Sequence, residues 1–163
     1  MIPLAFALAA AADRGVRLAI DLRGEALEEV LRRTNPDVVK VNRAEAEEAV
    51  GAGDLEELAR GLRRRGTDIA IVTDGASGSI AADAVGSWRA SSPTAGPYTV
   101  GAGDSFLGGL VLALEAGSPL SEALRQAAGV AAANTLQPGA AVFDRADAEA
   151  LAARVDVQRL GAA

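Results

Sequence analysis

The chain has 163 residues, of which half are hydrophobic and only 3% aromatic, and its net charge is −6. This length suits one domain with an aliphatic core or a piece of a larger one. The 18 glycines favour an α/β architecture over an all-β sandwich, and the negative charge argues against a nucleic-acid partner. The chain has no cysteine and no histidine, which excludes disulfides, thiol nucleophiles, histidine-based triads and the usual zinc sites. Chemistry would therefore use carboxylates, Lys, Arg, hydroxyls, backbone donors and an oxygen-ligated cation such as Mg²⁺. Since nothing depends on oxidation, we expect a cytoplasmic location.

The apolar N-terminal run predicts a buried helix over about residues 3–14, followed by a strand at 17–21. It lacks a preceding positive charge and is shorter than the ~20 residues of a membrane span, so no membrane partner is expected. The other predicted helices lie at 24–34, 43–50, 54–65, 105–117, 121–136 and 144–155. The other predicted strands lie at 37–41, 68–72, 79–84 and 85–90.

Helices alternate with three short apolar strands, an order that implies βαβ crossovers and a mostly parallel sheet. In such sheets ligands bind beyond the carboxyl ends of the strands. Three polar signatures fall at or near such positions, at residues 41–45, 73–78 and 101–104. Their common placement favours one ligand-binding edge.

The tetrapeptide Gly-Ala-Gly-Asp occurs twice, at residues 51–54 and 101–104. In the first copy, Gly51 is interpreted as a helix C-cap and Asp54 as the N-cap of the next helix. The second copy opens an apolar helix, where backbone N–H groups and the helix dipole could hold an anion beside the Asp104 carboxylate. The alternative for Asp104 is a simple N-cap, with Ser105 as a substitute cap.

Asn42 and Glu45 have the spacing of a capping box at the start of a helix. The functional alternative is that Glu45 holds Mg²⁺ through water while Asn42 contacts a phosphate. Lys40 lies two residues before Asn42, on the same side of the strand, and a lysine in an apolar strand is costly unless it is paired.

The segment from Thr73 to Gly78 is interpreted either as a tight turn or as a glycine loop that approaches a nucleotide. Trp88 and Tyr98 are the two large aromatics with polar tips. For both, buried packing is favoured over stacking on a base.

Taken together, these motifs resemble the ribokinase (PfkB) family of carbohydrate kinases over nearly the whole chain. The most specific match is the run from Thr99 to Phe106 with Gly108-Gly109, which is similar to the family's C-terminal signature. The other matching motifs are Lys40-x-Asn42-x-x-Glu45 and Thr73-x-Gly75-x-x-Gly78, in the expected order. The segments 20–27 and 137–144 are most similar to the branch of 1-phosphofructokinases and tagatose-6-phosphate kinases.

The resemblance implies that Asp104 is the general base that takes the proton from a sugar hydroxyl as it attacks the γ-phosphate of ATP. It implies that the backbone amides of Gly101, Ala102 and Gly103 form an anion hole. Asn42 and Glu45 would act on Mg²⁺ and phosphate, with Lys40 near the nucleotide. The remaining nucleotide contacts that it implies are Thr73, Gly75, Gly78 and the helix around Ala128 and Gly129.

The resemblance covers only the C-terminal half of the family's domain, so residues 1–163 are interpreted as its nucleotide-binding and catalytic-base part. The implied fold is ribokinase-like, with helices on both faces of the sheet, and lacks the N-terminal half and lid. Tyr98 replaces the family's usual Asp or Asn, and Val41 replaces a frequent Pro. An open sheet edge predicts exposed apolar surface and association, either as a homo-oligomer or with the missing half.

Three functions stay open at this point. The first is an ATP- and Mg²⁺-dependent kinase for a sugar phosphate, or for another sugar or nucleoside of the same family. The second is a module that binds nucleotide and catalyses nothing. The third is an unrelated α/β ligand-binding domain, which the ordered presence of three motifs disfavours.

Overall fold

The computed structural model describes residues 3–93 and 96–162. The helices in these ranges are α1 (Pro3–Ala12), α2 (Gly24–Arg33), α3 (Arg43–Val50), α4 (Leu55–Arg64), α5 (Ala102–Glu115), α6 (Leu120–Asn134) and α7 (Arg145–Ala152). The strands are β1 (Ala19–Ile20), β2 (Val38–Asn42), β3 (Ile69–Thr73), β4 (Ser79–Ala82), β5 (Gly86–Ala90) and β6 (Val157–Ala162), and a short 3₁₀ turn covers Gly75–Ser77.

The six strands form one sheet in the order β1-β2-β3-β4-β5-β6. β1 is parallel to β2 and β2 is parallel to β3, with Val39 beside Ala70 in the register. The predicted α/β class and mostly parallel sheet are therefore confirmed. β6 was not predicted, because its sequence Val-Gln-Arg-Leu-Gly-Ala carries little apolar alternation.

The described residues divide into two compact units, of which the first comprises 3–73, 80–87 and 161–162. Its core is built around the parallel strands, where Val39, Val41 and Val72 are completely buried. Leu27 of α2 and Leu62 of α4 pack into the same cluster. Burial of such aliphatic side chains supplies about 1.5–3 kcal/mol each, and this holds the strand ends in place.

The second unit comprises residues 74–79, 88–93 and 96–160, and its helical part is α5, α6 and α7. Small residues let these helices approach closely. A Cβ at Gly109 of α5 would lie 3.1 Å from Val130 of α6, and one at Gly129 of α6 would lie 2.6 Å from Ala152 of α7. The Ala- and Gly-rich composition thus allows these helices to pack tightly.

The N-terminal helix differs from expectation. In α1, Ala5 is buried, but Leu4 and Phe6 are 45% and 39% exposed, so the prediction of a buried helix is wrong for most of its face. The guanidinium of Arg33 covers one side of the Phe6 ring at 3.9 Å from its centroid. The hydrogen bond from Arg33 also holds the pKa of Glu29 below its usual value.

None of the described helices is long and apolar enough to cross a membrane.

Candidate active site

Helix α5 begins one residue after Gly101, which occupies the N-cap position in the left-handed conformation with φ of 80°. Asp104 therefore lies inside the first turn and caps nothing, so the alternative prediction of Asp104 as N-cap is wrong. The substitute cap is also wrong, because the Ser105 hydroxyl points inward to Asn134. The helix begins three residues earlier than a cap at Asp104 would place it.

The Asp104 side chain is exposed, and its carboxylate makes no hydrogen bond or ion pair with any residue that the structure describes. It lines a cavity of about 970 Å³ between α5, α6 and α7. Phe143 and Val130 give that cavity apolar lining, and its two arginines are each paired with a glutamate of the same lining, Arg125 with Glu122 and Arg145 with Glu149. A solvent-accessible carboxylate that caps no helix is free to accept a proton from a bound hydroxyl.

The start of α5 also offers backbone donors. Within the described ranges, the amides of Gly101, Gly103 and Asp104 have no backbone or side-chain acceptor. The Ala102 amide donates to the Thr99 carbonyl over 3.2 Å, so it differs from its neighbours in the predicted anion hole. Free donors at the positive end of a 14-residue helix attract anions.

Gly101 is fixed by a close neighbour. A Cβ at Gly101 would lie 2.7 Å from the Cα of Ala140 and 3.0 Å from the amide nitrogen of Ala141. Its positive φ and this approach both require glycine. The backbone of residues 140–141 therefore covers one side of the second Gly-Ala-Gly-Asp segment.

The first unit carries another group of predicted site residues at the end of β2. Lys40 is 5% exposed, and its Nζ lies 2.5 Å from the Oδ2 atom of Asp21. Sequence reasoning did not assign a role to Asp21, although a lysine in an apolar strand needs a counter-ion. Asp21 follows β1, the parallel neighbour of β2, and this placement was the available signal.

Asn42 and Glu45 form the predicted capping box at the start of α3. The Asn42 side chain accepts from the Glu45 amide at 3.0 Å, and the Glu45 Oε2 atom accepts from the Asn42 amide at 2.9 Å. This confirms the structural interpretation, while the second carboxylate oxygen of Glu45 is not used by the box. Thr73 is the register partner of Asn42, and its hydroxyl donates to the Val41 carbonyl over 3.4 Å.

These oxygens suit Mg²⁺, which binds through one or two carboxylates and completes its shell with water and substrate phosphates. The described residues contain no group of three or more acidic side chains that could hold a metal alone. A metal at Glu45 and Asn42 would therefore depend on water and phosphate for the rest of its ligands.

The Thr73–Gly78 segment contains the predicted tight turn. The Asp74 amide donates to the Gly78 carbonyl over 2.8 Å, and residues 75–77 form the 3₁₀ turn. A Cβ at Gly78 would lie 2.2 Å from the Ala90 carbonyl oxygen, whereas Gly75 has open space around it. Gly78 is thus required for packing, and Gly75 is the more accessible of the two.

Three other residues singled out from the sequence have the following surroundings. Gly129 is buried, and the face it presents is covered by Ala148 and Ala152 of α7. Tyr98 is 44% exposed, so the prediction of buried packing is wrong for it. Trp88 is half-buried, and the Arg159 guanidinium lies 5.9 Å from its ring.

Comparison with known proteins places this geometry in a family. The profile of the pfkB family of carbohydrate kinases matches residues 4–146. The chain belongs to this family. The resemblance inferred from the motifs is therefore confirmed, and with it the assignment of the chain as a carbohydrate kinase homologue.

Individual relatives are phosphofructokinases. A 1-phosphofructokinase of Escherichia coli (strain K12) is 37% identical over 129 residues, which are 76% of this chain and 41% of that protein. The ATP-dependent 6-phosphofructokinase isozyme 2 of the same organism is 28% identical over 149 residues, 87% of this chain and 48% of that protein. The crystal structure of Escherichia coli phosphofructokinase-2 with substrates and products superposes with a TM-score of 0.85 at 27% identity, over 93% of this chain and 51% of that one. The chain thus spans about half the length of these relatives, or less.

Proposed function

We propose that this chain is the catalytic-base part of an ATP-dependent kinase that phosphorylates a sugar phosphate, as a 1-phosphofructokinase does. The observation that carries the proposal is the exposed Asp104 carboxylate beside the amides at the start of α5, which have no partner among the residues that the structure describes. A phosphoryl transfer needs a proton acceptor for the attacking hydroxyl and donors for the charge on the transferred group.

In the proposed reaction, Asp104 accepts the proton of the sugar hydroxyl while the hydroxyl oxygen forms a bond to the γ-phosphorus. The bond between that phosphorus and the β,γ-bridging oxygen breaks, and ADP leaves. The amides of Gly101 and Gly103 donate hydrogen bonds to the transferred group. The Ala102 amide joins them when it gives up its hydrogen bond to the Thr99 carbonyl and donates to the phosphate instead. The cavity beside Asp104 gives a hydroxyl compound access to the carboxylate.

Residues of the first unit have proposed roles in binding the phosphates of the nucleotide and Mg²⁺. Asn42 would contact phosphate with Lys40 near the nucleotide, and Glu45 would hold Mg²⁺ through water. When bound, Mg²⁺ neutralises charge on the β- and γ-phosphates. Thr73, Gly75 and Gly78 remain predicted neighbours of the nucleotide, and Gly129 would contribute to the helix that bounds adenine without exposing its own face.

The test measures binding and transfer separately. Calorimetry with ATP and Mg²⁺ gives the affinity of the chain for nucleotide, and transfer from γ-labelled ATP to fructose 1-phosphate gives the rate. We expect Asp104→Asn to lower the rate by about 10²- to 10⁴-fold while the ATP affinity changes by less than about threefold. A variant that keeps a rate near that of the unchanged chain would show that Asp104 is not the base.

Asp54→Asn is the matched control, because it makes the same chemical change in the other Gly-Ala-Gly-Asp copy. Asp54 caps α4, and Asn caps a helix as well as Asp does, so both binding and transfer should stay unchanged. A loss of transfer in this control would mean that the effect at Asp104 reports general damage.

The second candidate function is a module that binds nucleotide without transferring phosphate. None of the predicted site residues was assigned to binding the sugar, and a kinase must also position its sugar, which favours this candidate for the chain tested by itself. ATP binding with no phosphorylated fructose 1-phosphate supports it. A chain that neither binds ATP nor transfers phosphate contradicts both functions. A cytoplasmic location and self-association also stay predictions, and ultracentrifugation of the chain tests the second.

A further inference from the structure

Asn134, the last residue of α6, is completely buried and uses its amide group in three hydrogen bonds. Its Nδ2 donates to the Val100 carbonyl at 2.9 Å. Its Oδ1 accepts from the Ala141 amide at 2.7 Å and from the Ser105 hydroxyl at 3.2 Å. Buried amides are costly unless they are bonded, and this one joins three separate segments.

The three partners surround the second Gly-Ala-Gly-Asp segment. Val100 directly precedes Gly101, Ser105 directly follows Asp104, and Ala141 belongs to the backbone that covers Gly101. One side chain therefore contacts both ends of the segment and the loop that lies over it.

The bond to Val100 has a specific consequence, because the Val100 carbonyl and the Gly101 N–H belong to the same peptide unit. A trans peptide is planar, and its C=O and N–H point in opposite directions. Holding the carbonyl on the Asn134 amide therefore aims the Gly101 N–H away from Asn134. No acceptor for that N–H exists in the described part of the chain.

The loop over Gly101 depends on the same side chain. Ala141 has a φ of 57° and is the one residue other than glycine with positive φ in the described ranges. Such a conformation is unfavourable for alanine by about 1–2 kcal/mol and persists only where its surroundings hold it. The bond from the Ala141 amide to Asn134 is a direct restraint on this residue.

Thr135, the residue after Asn134, restrains the chain that leads into the second Gly-Ala-Gly-Asp segment. The Thr135 hydroxyl accepts from the Gly96 amide at 2.6 Å, and the Thr135 carbonyl accepts from the Tyr98 amide at 3.1 Å. The end of α6 thus restrains residues 96–100 at three successive points. The orientation of Gly101 is set from α6, more than thirty residues later in the chain.

We propose that Asn134 is a positioning residue that orients the Gly101 amide toward the terminal phosphate of ATP. This inference rests on the proposed function, since it assigns a ligand to the anion hole. Asn134 itself is buried and touches no phosphate. Its effect should therefore depend on the γ-phosphate, which ATP carries and ADP lacks.

The experiment compares ATP and ADP binding to the whole chain by calorimetry, and follows the Gly101 amide by ¹H–¹⁵N NMR. In Asn134→Ala we expect ATP affinity to fall about tenfold, as for the loss of one hydrogen bond to a charged group. ADP affinity should change less than about twofold, and the ATP-induced shift of the Gly101 resonance should shrink. Equal losses for ATP and ADP, or no loss for either, would overturn the inference.

Thr67→Val is the matched control, because Thr67 is also a buried polar residue that donates to a backbone carbonyl, in this case that of Pro36. It should lower thermal stability and leave the ratio of ATP to ADP affinity unchanged. If Asn134→Ala is unfolded at the titration temperature, Asn134→Ser decides by the same ratio, since its hydroxyl is too short to bridge the three partners.

The two proposals fail in different ways. If the unchanged chain binds ATP no better than ADP and its Gly101 resonance does not move, the anion hole itself is wrong and the role of Asn134 is wrong with it. If the unchanged chain prefers ATP and Asn134→Ala keeps that preference, only the positioning role is wrong.

Discussion

The two Gly-Ala-Gly-Asp segments have the same four residues and different structures. In the first, α4 begins after Asp54, whose side chain accepts from the Glu57 amide in a capping box. Gly51 closes α3 with a φ of 90°, and a Cβ there would meet nothing within 4 Å. The amide, the carbonyl and one carboxylate oxygen of this aspartate are all bonded to the first turn of α4, so the segment is a junction between helices.

In the second segment, α5 begins after Gly101, three positions earlier relative to the tetrapeptide. Asp104 then falls in the first turn, where its carboxylate is exposed and has no partner among the described residues. Gly101 is pressed against Ala140, which has no counterpart at Gly51. The difference shows that the position at which a helix begins decides whether an aspartate is a cap or a free carboxylate.

The largest expected difference in stability concerns the first glycine of each copy. Gly101→Ala combines a positive φ with contact to the Ala140 backbone, and should lower the free energy of unfolding by about 3 kcal/mol. Gly51→Ala has the positive φ alone and should cost about 1 kcal/mol. Urea denaturation of both variants checks this, and equal losses would contradict the packing of residues 140–141 on Gly101.

For the aspartates we expect the opposite order, with the larger loss of stability in the first copy. Asp54→Ala removes a cap and should lower the free energy of unfolding by about 1 kcal/mol. Asp104→Ala removes an exposed carboxylate that has no partner among the described residues, and it should change the free energy of unfolding by less than about 0.5 kcal/mol. The same denaturation series measures both. A larger loss at Asp104 than at Asp54 would mean that Asp104 has a structural role after all.

The smallest expected effect is at residues 140–141, which pack on the second copy and have no counterpart at the first. Ala141→Gly relieves an unfavourable positive φ, and the greater freedom of glycine in the unfolded chain offsets part of the gain. We expect the free energy of unfolding to rise by roughly 0.5 kcal/mol. Thermal melts with Ala140→Gly as the control test this, since Ala140 has no positive φ and its variant should be less stable.

Local patterns in the sequence predicted the elements whose stability is local. The capping box of Asn42 and Glu45 and the caps at Gly51 and Asp54 are all observed, because each depends on residues within one or two turns. The parallel order of β1, β2 and β3 also followed from the alternation of strands and helices.

Two of the misses, the start of α5 and the partner of Lys40, have the same physical cause, which is contact between distant residues. The start of α5 depends on Gly101, Ala140 and Asn134, and no short-range pattern links them. The partner of Lys40 lies nineteen residues earlier, on the neighbouring strand. Tyr98 was expected to be buried because of its size, but its surroundings leave the ring exposed.

The contact at Gly129 has a mechanical consequence for the start of α5. Gly129 and Asn134 are on one helix, five residues or about 7.5 Å apart along its axis. A Cβ at Gly129 would lie 2.6 Å from the Ala152 amide nitrogen of α7, so we expect a side chain there to push α6 and α7 apart. We expect such a shift to displace the Asn134 amide and the Val100 carbonyl bonded to it, so the orientation of the Gly101 peptide depends on the absence of a side chain at Gly129.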